Sequence, residues 1–296
     1  MASLGLALLA AALAYQSLVV AVLWLAWRTP RVPARRDPGH LGVAFADVRF
    51  PTRRNRSLHG WWLPGCPGAS AVLLVHGWGR NAERMLPYVE ILRSSGFHLL
   101  VFEARHHGTS DRDGHASMKK FSEDIRAAAE FATAQPGVEA ARIGVIGLSI
   151  GGSAAIHAAA HDARLAAVVT VGAFAHPADA MRPRGIIGGC LRPGWPLARR
   201  LIELRVGARL DELAPERHID RVRGAVLIVH GTRDTVVPLA HAHRLARREG
   251  GHVELRVSPQ RGHSDVHLDK GFPERLREFL AANLTAPAQR AVTPSS

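Results

Sequence analysis

The sequence predicts an α/β protein: a mostly parallel, twisted sheet with an N-terminal antiparallel hairpin, helices on both faces, a short cap insertion, and an N-terminal transmembrane helix. Three observations predict it. Short continuous apolar runs, such as residues 71–75 and 225–229, read as strands buried on both faces. Helical patterns recur between those runs, the alternation that builds a parallel sheet. Residues 3–27 carry no charged side chain at all.

That first segment is long enough, at 1.5 Å rise per residue, to cross a hydrocarbon core of roughly 30 Å. Trp24 and Trp27 stand at its C-terminal end, where an interfacial aromatic belt belongs. A cleavable signal peptide is the competing reading, with Ala12-Leu13-Ala14 as its small-residue site. The run lacks a basic leader and exceeds an ordinary signal core, which favours an anchor over residues 1–28. Arg28, Arg31, Arg35 and Arg36 follow it and no Lys or Arg precedes it. The positive-inside rule then places the body of the chain in the cytoplasm as a single-pass membrane protein.

Residues 29–42 hold three prolines and read as a tether. The globular part is expected over residues 43–284, opening with a hairpin of strands at 43–50 and 57–63 across a polar turn. Strands follow at 71–75, 97–102, 142–146, 165–171, 225–229 and 253–257. Helices are expected at 82–95, 119–134, after residue 151, at 239–249 and at 273–283. Residues 175–218 break this rhythm with prolines, glycines and a helical patch over 197–210. An insertion of this length reads as a cap over a site. Its arginines fit either a lid facing anionic groups or an ordinary solvated helix face. Residues 285–296 are small and polar and read as a disordered tail.

The 296-residue chain has a formal charge of +13 and 47% hydrophobic residues. That content excludes a disordered chain. The charge invites anionic partners, but it is scattered, with no zinc-finger or aromatic-basic pattern, so nucleic acid is not the expected partner. Cys66 and Cys190 can form neither a disulfide framework nor a zinc site by themselves.

Gly147-Leu148-Ser149-Ile150-Gly151 lies between an apolar strand and a small-residue helix. This is the context in which a serine at a sharp turn becomes a nucleophile; the bland alternative is a serine capping the helix. Acyl transfer by serine needs a base, an acid that orients it, and donors for the oxyanion. In strand-elbow architectures the acid and then the histidine follow the serine, each in a loop after a strand. Asp234 directly follows the strand at 225–229, and His263 lies just beyond the strand at 253–257. His267 is the rival base on the same loop, and Asp211, Asp220 and Asp265 are rival acids that follow no strand. The oxyanion donors expected are the backbone N–H groups of Ile150 and of Trp78. Trp78 stands in the turn His76-Gly77-Trp78-Gly79, after the strand at 71–75. His76, Gly77, Gly147 and Gly151 are expected to support the turn and pocket.

These motifs resemble, in order, those of the α/β-hydrolase superfamily of serine esterases, lipases and peptidases. They are His76-Gly77-Trp78-Gly79, Gly147–Gly151, His230-Gly231-Thr232-Arg233-Asp234 with Val237-Pro238, and Gly262-His263. A fifth stretch, Glu103 to Ser110, is similar to the family's Asp-x-Arg-x-x-Gly-x-Ser loop, with Glu replacing Asp. The resemblance implies hydrolysis of a small-molecule acyl substrate through an acyl-enzyme, with no metal or organic cofactor. Ser149, His263 and Asp234 would serve as triad. Expected is a membrane-anchored carboxylesterase, acting on lipid-derived or other esters. A peptidase or acyltransferase of the same fold and a non-catalytic scaffold are the alternatives.

Overall fold

The computed structural model describes residues 2–182, 185–247 and 251–285; residues 286–296 of the expected tail lie outside the described residues. In chain order the helices and strands are α1 (Ala2–Ala26), β1 (Ala46–Thr52), β2 (Arg56–Leu63), β3 (Ala71–Val75), α2 (Leu86–Leu92) and β4 (His98–Phe102). Then come α3 (Met118–Thr133), β5 (Ile143–Leu148), α4 (Ile150–Ala159), β6 (Leu165–Val171), α5 (Pro177–Met181), α6 (Gly185–Leu191) and α7 (Trp195–Val206). The chain continues through β7 (Ala225–Gly231), α8 (Ala240–Ala246), β8 (Val253–Ser258) and α9 (Phe272–Leu284).

The strands form one eight-stranded sheet in the order β1-β2-β4-β3-β5-β6-β7-β8. The β1–β2 and β2–β4 pairs are antiparallel and the others are parallel. Strand β3 explains why its sequence is apolar throughout. Ala71, Leu73 and Val75 belong to the core layer that α3, α4 and α8 cover on one face, while Val72 and Leu74 belong to the layer that α2 and α9 cover on the other. With a side-chain period of two and helices on both sides, neither face can be polar.

Local signals set the helix ends. The Ser117 hydroxyl accepts the Lys120 N–H and so caps α3. The helix expected over 82–95 is split: residues Ala82–Met85 form a 3₁₀ turn and only Leu86–Leu92 are α-helical. Pro87 has no N–H to donate backward, so the α-helical ladder starts there rather than running through.

Residues 29–42 correct the expectation of a tether, because they are laid against the domain. The Arg31 guanidinium donates to the Gly108 and Ser110 carbonyls, Arg36 pairs with Glu83 at 2.9 Å, and Asn81 donates to the Val32 carbonyl. Asp37 caps a 3₁₀ turn over Pro38–Leu41. The prolines keep this strap extended, and side chains of the domain satisfy its backbone.

Helix α1 has the length and apolar composition of a membrane span over Ser3–Leu25, which fits either a membrane anchor or a signal sequence. Its two halves differ. Leu4, Leu6, Leu8, Leu9 and Leu13 are exposed, whereas Val19 is buried against Leu191 and Ala198 of the cap. The Tyr15 hydroxyl donates to the Cys190 carbonyl at 2.7 Å and accepts the Gly194 N–H, and Gln16 donates to the Gly194 carbonyl. A Cβ on Gly194 would stand 2.8 Å from Val19 Cγ2, so glycine lets helix and cap meet.

Candidate active site

Ser149 is the residue between β5 and α4, and its backbone is bent into φ 53°, ψ −119°. A non-glycine residue there carries strain that the surroundings must hold. They hold it tightly: Ser149 N–H donates to the Val171 carbonyl at 2.8 Å, and Ser153 N–H to the Ser149 carbonyl at 3.0 Å. A Cβ on Gly147 would come within 2.4 Å of the Gly151 carbonyl carbon, and one on Gly151 within 2.5 Å of the His76 oxygen. Only glycine permits that approach of strand, helix and neighbouring turn. Ser149 makes no side-chain capping bond to α4, so the bland helix-cap reading does not describe it.

The loops after β7 and β8 bring Asp234 and His263 together, with His263 Nδ1 to Asp234 Oδ2 at 2.7 Å. The other oxygen, Oδ1, accepts the Val236 and Val237 N–H groups at 2.9 and 2.8 Å. Burial works to raise the Asp234 pKa, but hydrogen bonds from His230, His263 and the Val237 N–H overcome it. The carboxyl is therefore held well below the usual range and is ionised at neutral pH. Gly172, at the end of β6 with φ 64°, fits beneath this pair. A Cβ there would lie 2.9 Å from His263 Nδ1 and 3.3 Å from Asp234 Oδ2. Its neighbour Val171 accepts the Ser149 N–H, so β6 ends between the serine and the histidine–aspartate pair.

Ser149, Ile150 and Trp78 line a cavity of about 370 Å³. Ile150 is the first residue of α4, where an N–H has no intrahelical acceptor. Among the described residues no hydrogen bond claims the Trp78 or Ile150 N–H. Gly77 lies beside the elbow, where a Cβ would meet Ser149 Cβ at 3.4 Å.

Two buried histidines fasten this turn. His76 Nδ1 donates to the Gly77 carbonyl at 2.7 Å, leaving Nε2 to accept the Ala104 N–H. His107 Nδ1 donates to the Arg105 carbonyl, and its Nε2 accepts the Gly79 N–H at 3.1 Å. Burial lowers both pKa values, that of His107 to about 3, so both rings stay neutral in these tautomers. Glu103 secures the loop behind them by accepting the Thr109 N–H and hydroxyl at 2.7 and 3.1 Å.

The rivals lie elsewhere. The His267 ring faces Tyr88, and Asp211 pairs with His176 and Arg199 in the cap. Asp265 accepts the Gly262 N–H, and Asp220 sits on a 3₁₀ turn before β7. Sequence reasoning assigned no role to His230, His107 or Gly172. His230 Nε2 donates to the Val237 carbonyl at 2.7 Å and lies 3.3 Å from Asp234 Oδ2. Its place at the end of β7, four residues before Asp234, was the available signal.

A family model described as "Serine aminopeptidase, S33" matches residues 67–211. The chain is 28% identical over 253 residues to the alpha/beta hydrolase domain-containing protein aho-3 of Caenorhabditis elegans, covering 83% of this chain and 69% of that one. The chain has the α/β-hydrolase fold and is similar in sequence to α/β hydrolases. An uncharacterized protein of Mycobacterium tuberculosis is similar to this α/β hydrolase at 29% identity over 238 residues, 79% of this chain and 78% of its own. Among solved structures, the Pyrococcus furiosus esterase Pf2001 superimposes with a TM-score of 0.71. It is 22% identical, over 87% of this α/β hydrolase and 100% of that chain, a likeness of fold.

Proposed function

We propose that the chain is a membrane-anchored serine hydrolase that cleaves carboxylic esters with apolar acyl chains. The observation that carries this is the strained Ser149, uncapped and lining an apolar cavity, with the His263–Asp234 pair across the end of β6. Ser149 attacks the acyl carbonyl while His263 Nε2 takes its proton, and Asp234 holds Nδ1–H so that Nε2 is free to do so. The Trp78 and Ile150 N–H groups receive the oxyanion. His263 returns the proton to the leaving alcohol, and water then releases the acid by the same route. Ser149 Oγ makes no hydrogen bond among the described residues, and such bonds often tighten only when substrate is present.

The cavity supports an ester over a peptide. Apart from Ser117 and Ser149 its lining is apolar, and no carboxylate is there to receive a peptide's α-amino group. Leu23 and Trp27 of the α1 segment form part of its wall, packed with Ile202 and Val206 of α7. This docking supports the reading of α1 as a retained anchor, since the wall would be lost with it. We place the domain on the cytoplasmic side, on the arginines that follow the helix.

A fluorophosphonate probe should label the wild type and not Ser149→Ala, with both proteins equally folded by circular dichroism. Equal labelling of the two overturns the proposal. On p-nitrophenyl esters, kcat/KM should rise about fourfold per added methylene until the cavity is filled, from roughly 0.8 kcal/mol per buried CH₂. Trp27→Ala should flatten that rise while sparing the acetyl ester. A profile unchanged by the substitution would remove α1 from the acyl site.

A further inference from the structure

His157 and His161 lie one turn apart at the C-terminal end of the α4 segment, and His218 reaches them from the 3₁₀ turns that precede β7. One nitrogen from each imidazole falls within 4.8 Å of the other two. The ring centroids are 4.5–5.2 Å apart. Solvation alone does not explain this packing, because the second nitrogen of every ring is already spoken for. His161 Nδ1 lies 2.7 Å from the His157 carbonyl, and His218 Nε2 lies 2.7 Å from the Glu212 carbonyl. A carbonyl only accepts, so those nitrogens carry the protons, and the lone pairs are on His161 Nε2 and His218 Nδ1. His157 Nδ1 is held by the Ser122 hydroxyl at 2.8 Å, which leaves Nε2. His218 Nδ1 is buried with no hydrogen-bond partner, and an orphan of that kind calls for an explanation.

We propose that these three histidines bind a divalent transition-metal ion, zinc by preference, in a site separate from the hydrolytic one. Imidazoles whose far nitrogens are fixed by carbonyls or hydroxyls are the usual ligands of such ions. Tetrahedral Zn–N bonds of about 2.0–2.1 Å place ligand nitrogens about 3.4 Å apart, so the rings draw in by roughly an ångström or so. The exposed side of His161 leaves the fourth position to solvent. Lys119 and Arg126 stand near His157 and oppose a dication.

The metal's role is mechanical. His157 is eight residues beyond Ser149, about 12 Å along the helix, too far to touch substrate. It would staple the helix that begins at the serine to the segment entering β7, the strand that delivers Asp234. Binding to the folded state alone stabilises it by mass action.

The test uses full-length, untagged protein in detergent, stripped with a chelator and titrated with Co²⁺, then with competing Zn²⁺. One equivalent should bind with the visible absorption of a tetrahedral site, and Zn²⁺ should displace it and raise Tm. His161→Ala removes an exposed ligand, so its metal-free Tm should match the wild type while affinity falls at least about tenfold. His157→Ala should lower affinity in the same way, with a lower metal-free Tm because the Ser122 hydroxyl loses its partner. Absence of stoichiometric binding overturns the proposal, as does binding or a Zn²⁺-induced rise in Tm that His161→Ala leaves intact.

Discussion

Asp234→Asn is expected to lower kcat on an ester substrate by about 10⁴-fold while leaving the protein folded. The size of the effect comes from which way the new amide must face. Oδ1 accepts two backbone N–H groups, from Val236 and Val237, and only an oxygen can replace it there. The amide nitrogen is then turned towards His263 Nδ1, which stands 2.7 Å from Oδ2 in the wild type. Two donors cannot face each other, so the imidazole must move its proton to Nε2. In that tautomer it has no lone pair for the Ser149 proton. Measurement of kcat together with Tm decides it: a kcat within a few-fold of wild type would mean that another acid orients the base. The acid side of the stability curve gives a second readout. The folded-state pKa of Asp234 is depressed, so its contribution is complete above the ordinary carboxylate value near 4 and is lost as pH falls below it. The Asn variant should lack that part of the acid destabilisation.

Arg105→Met is expected to cost about 3–5 kcal/mol of stability, the usual penalty for stranding a buried charge. For a domain of this size that is a fall in Tm of roughly 10 °C. The Arg105 side chain is wholly buried and its guanidinium serves three carboxylates. Nε lies 2.7 Å from Asp124, and the terminal nitrogens lie 3.0 Å from Asp113 and 2.6 Å from Glu123. Burial pushes the Asp124 carboxyl up to about 6, with the guanidinium pulling it back. Without Arg105 the carboxyl must take up a proton or stay charged in the core. Adding Asp124→Asn should recover part of the loss, and thermal unfolding of the two variants measures both. An unchanged Tm in Arg105→Met would show that the cluster does not hold the loop. Because the same loop carries His107, which fastens Gly79, the single variant should also lose ester turnover faster on warming.

The sheet was legible because its strands are written twice over. A run such as Ala71–Val75 must be apolar on both faces, and a turn-rich stretch follows each one. Asp234 and His263 were legible by position, since each occupies the loop after its strand, and the structure joins them by a hydrogen bond. What the sequence concealed were contacts between segments remote along the chain. Tyr15 and Gln16 meet Gly194 across nearly 180 residues, and no local periodicity records that. The strap at 29–42 looked like a tether because proline-rich chain is read from its own composition, whereas its partners Glu83 and Gly108 lie elsewhere. His230 and His107 were hidden by number among 17 histidines. Only tautomer-fixing partners separate a structural histidine from a solvated one.

The docking of α1 has a mechanical consequence. Residues 15–27 are pinned to the cap and the domain, while the leucines before them are bare. The contacts of the pinned half tie the helix axis to the cap and so to the wall of the cavity. Any tilt of the bare half is therefore passed on to the cavity wall that Leu23 and Trp27 form with Ile202 and Val206 of α7.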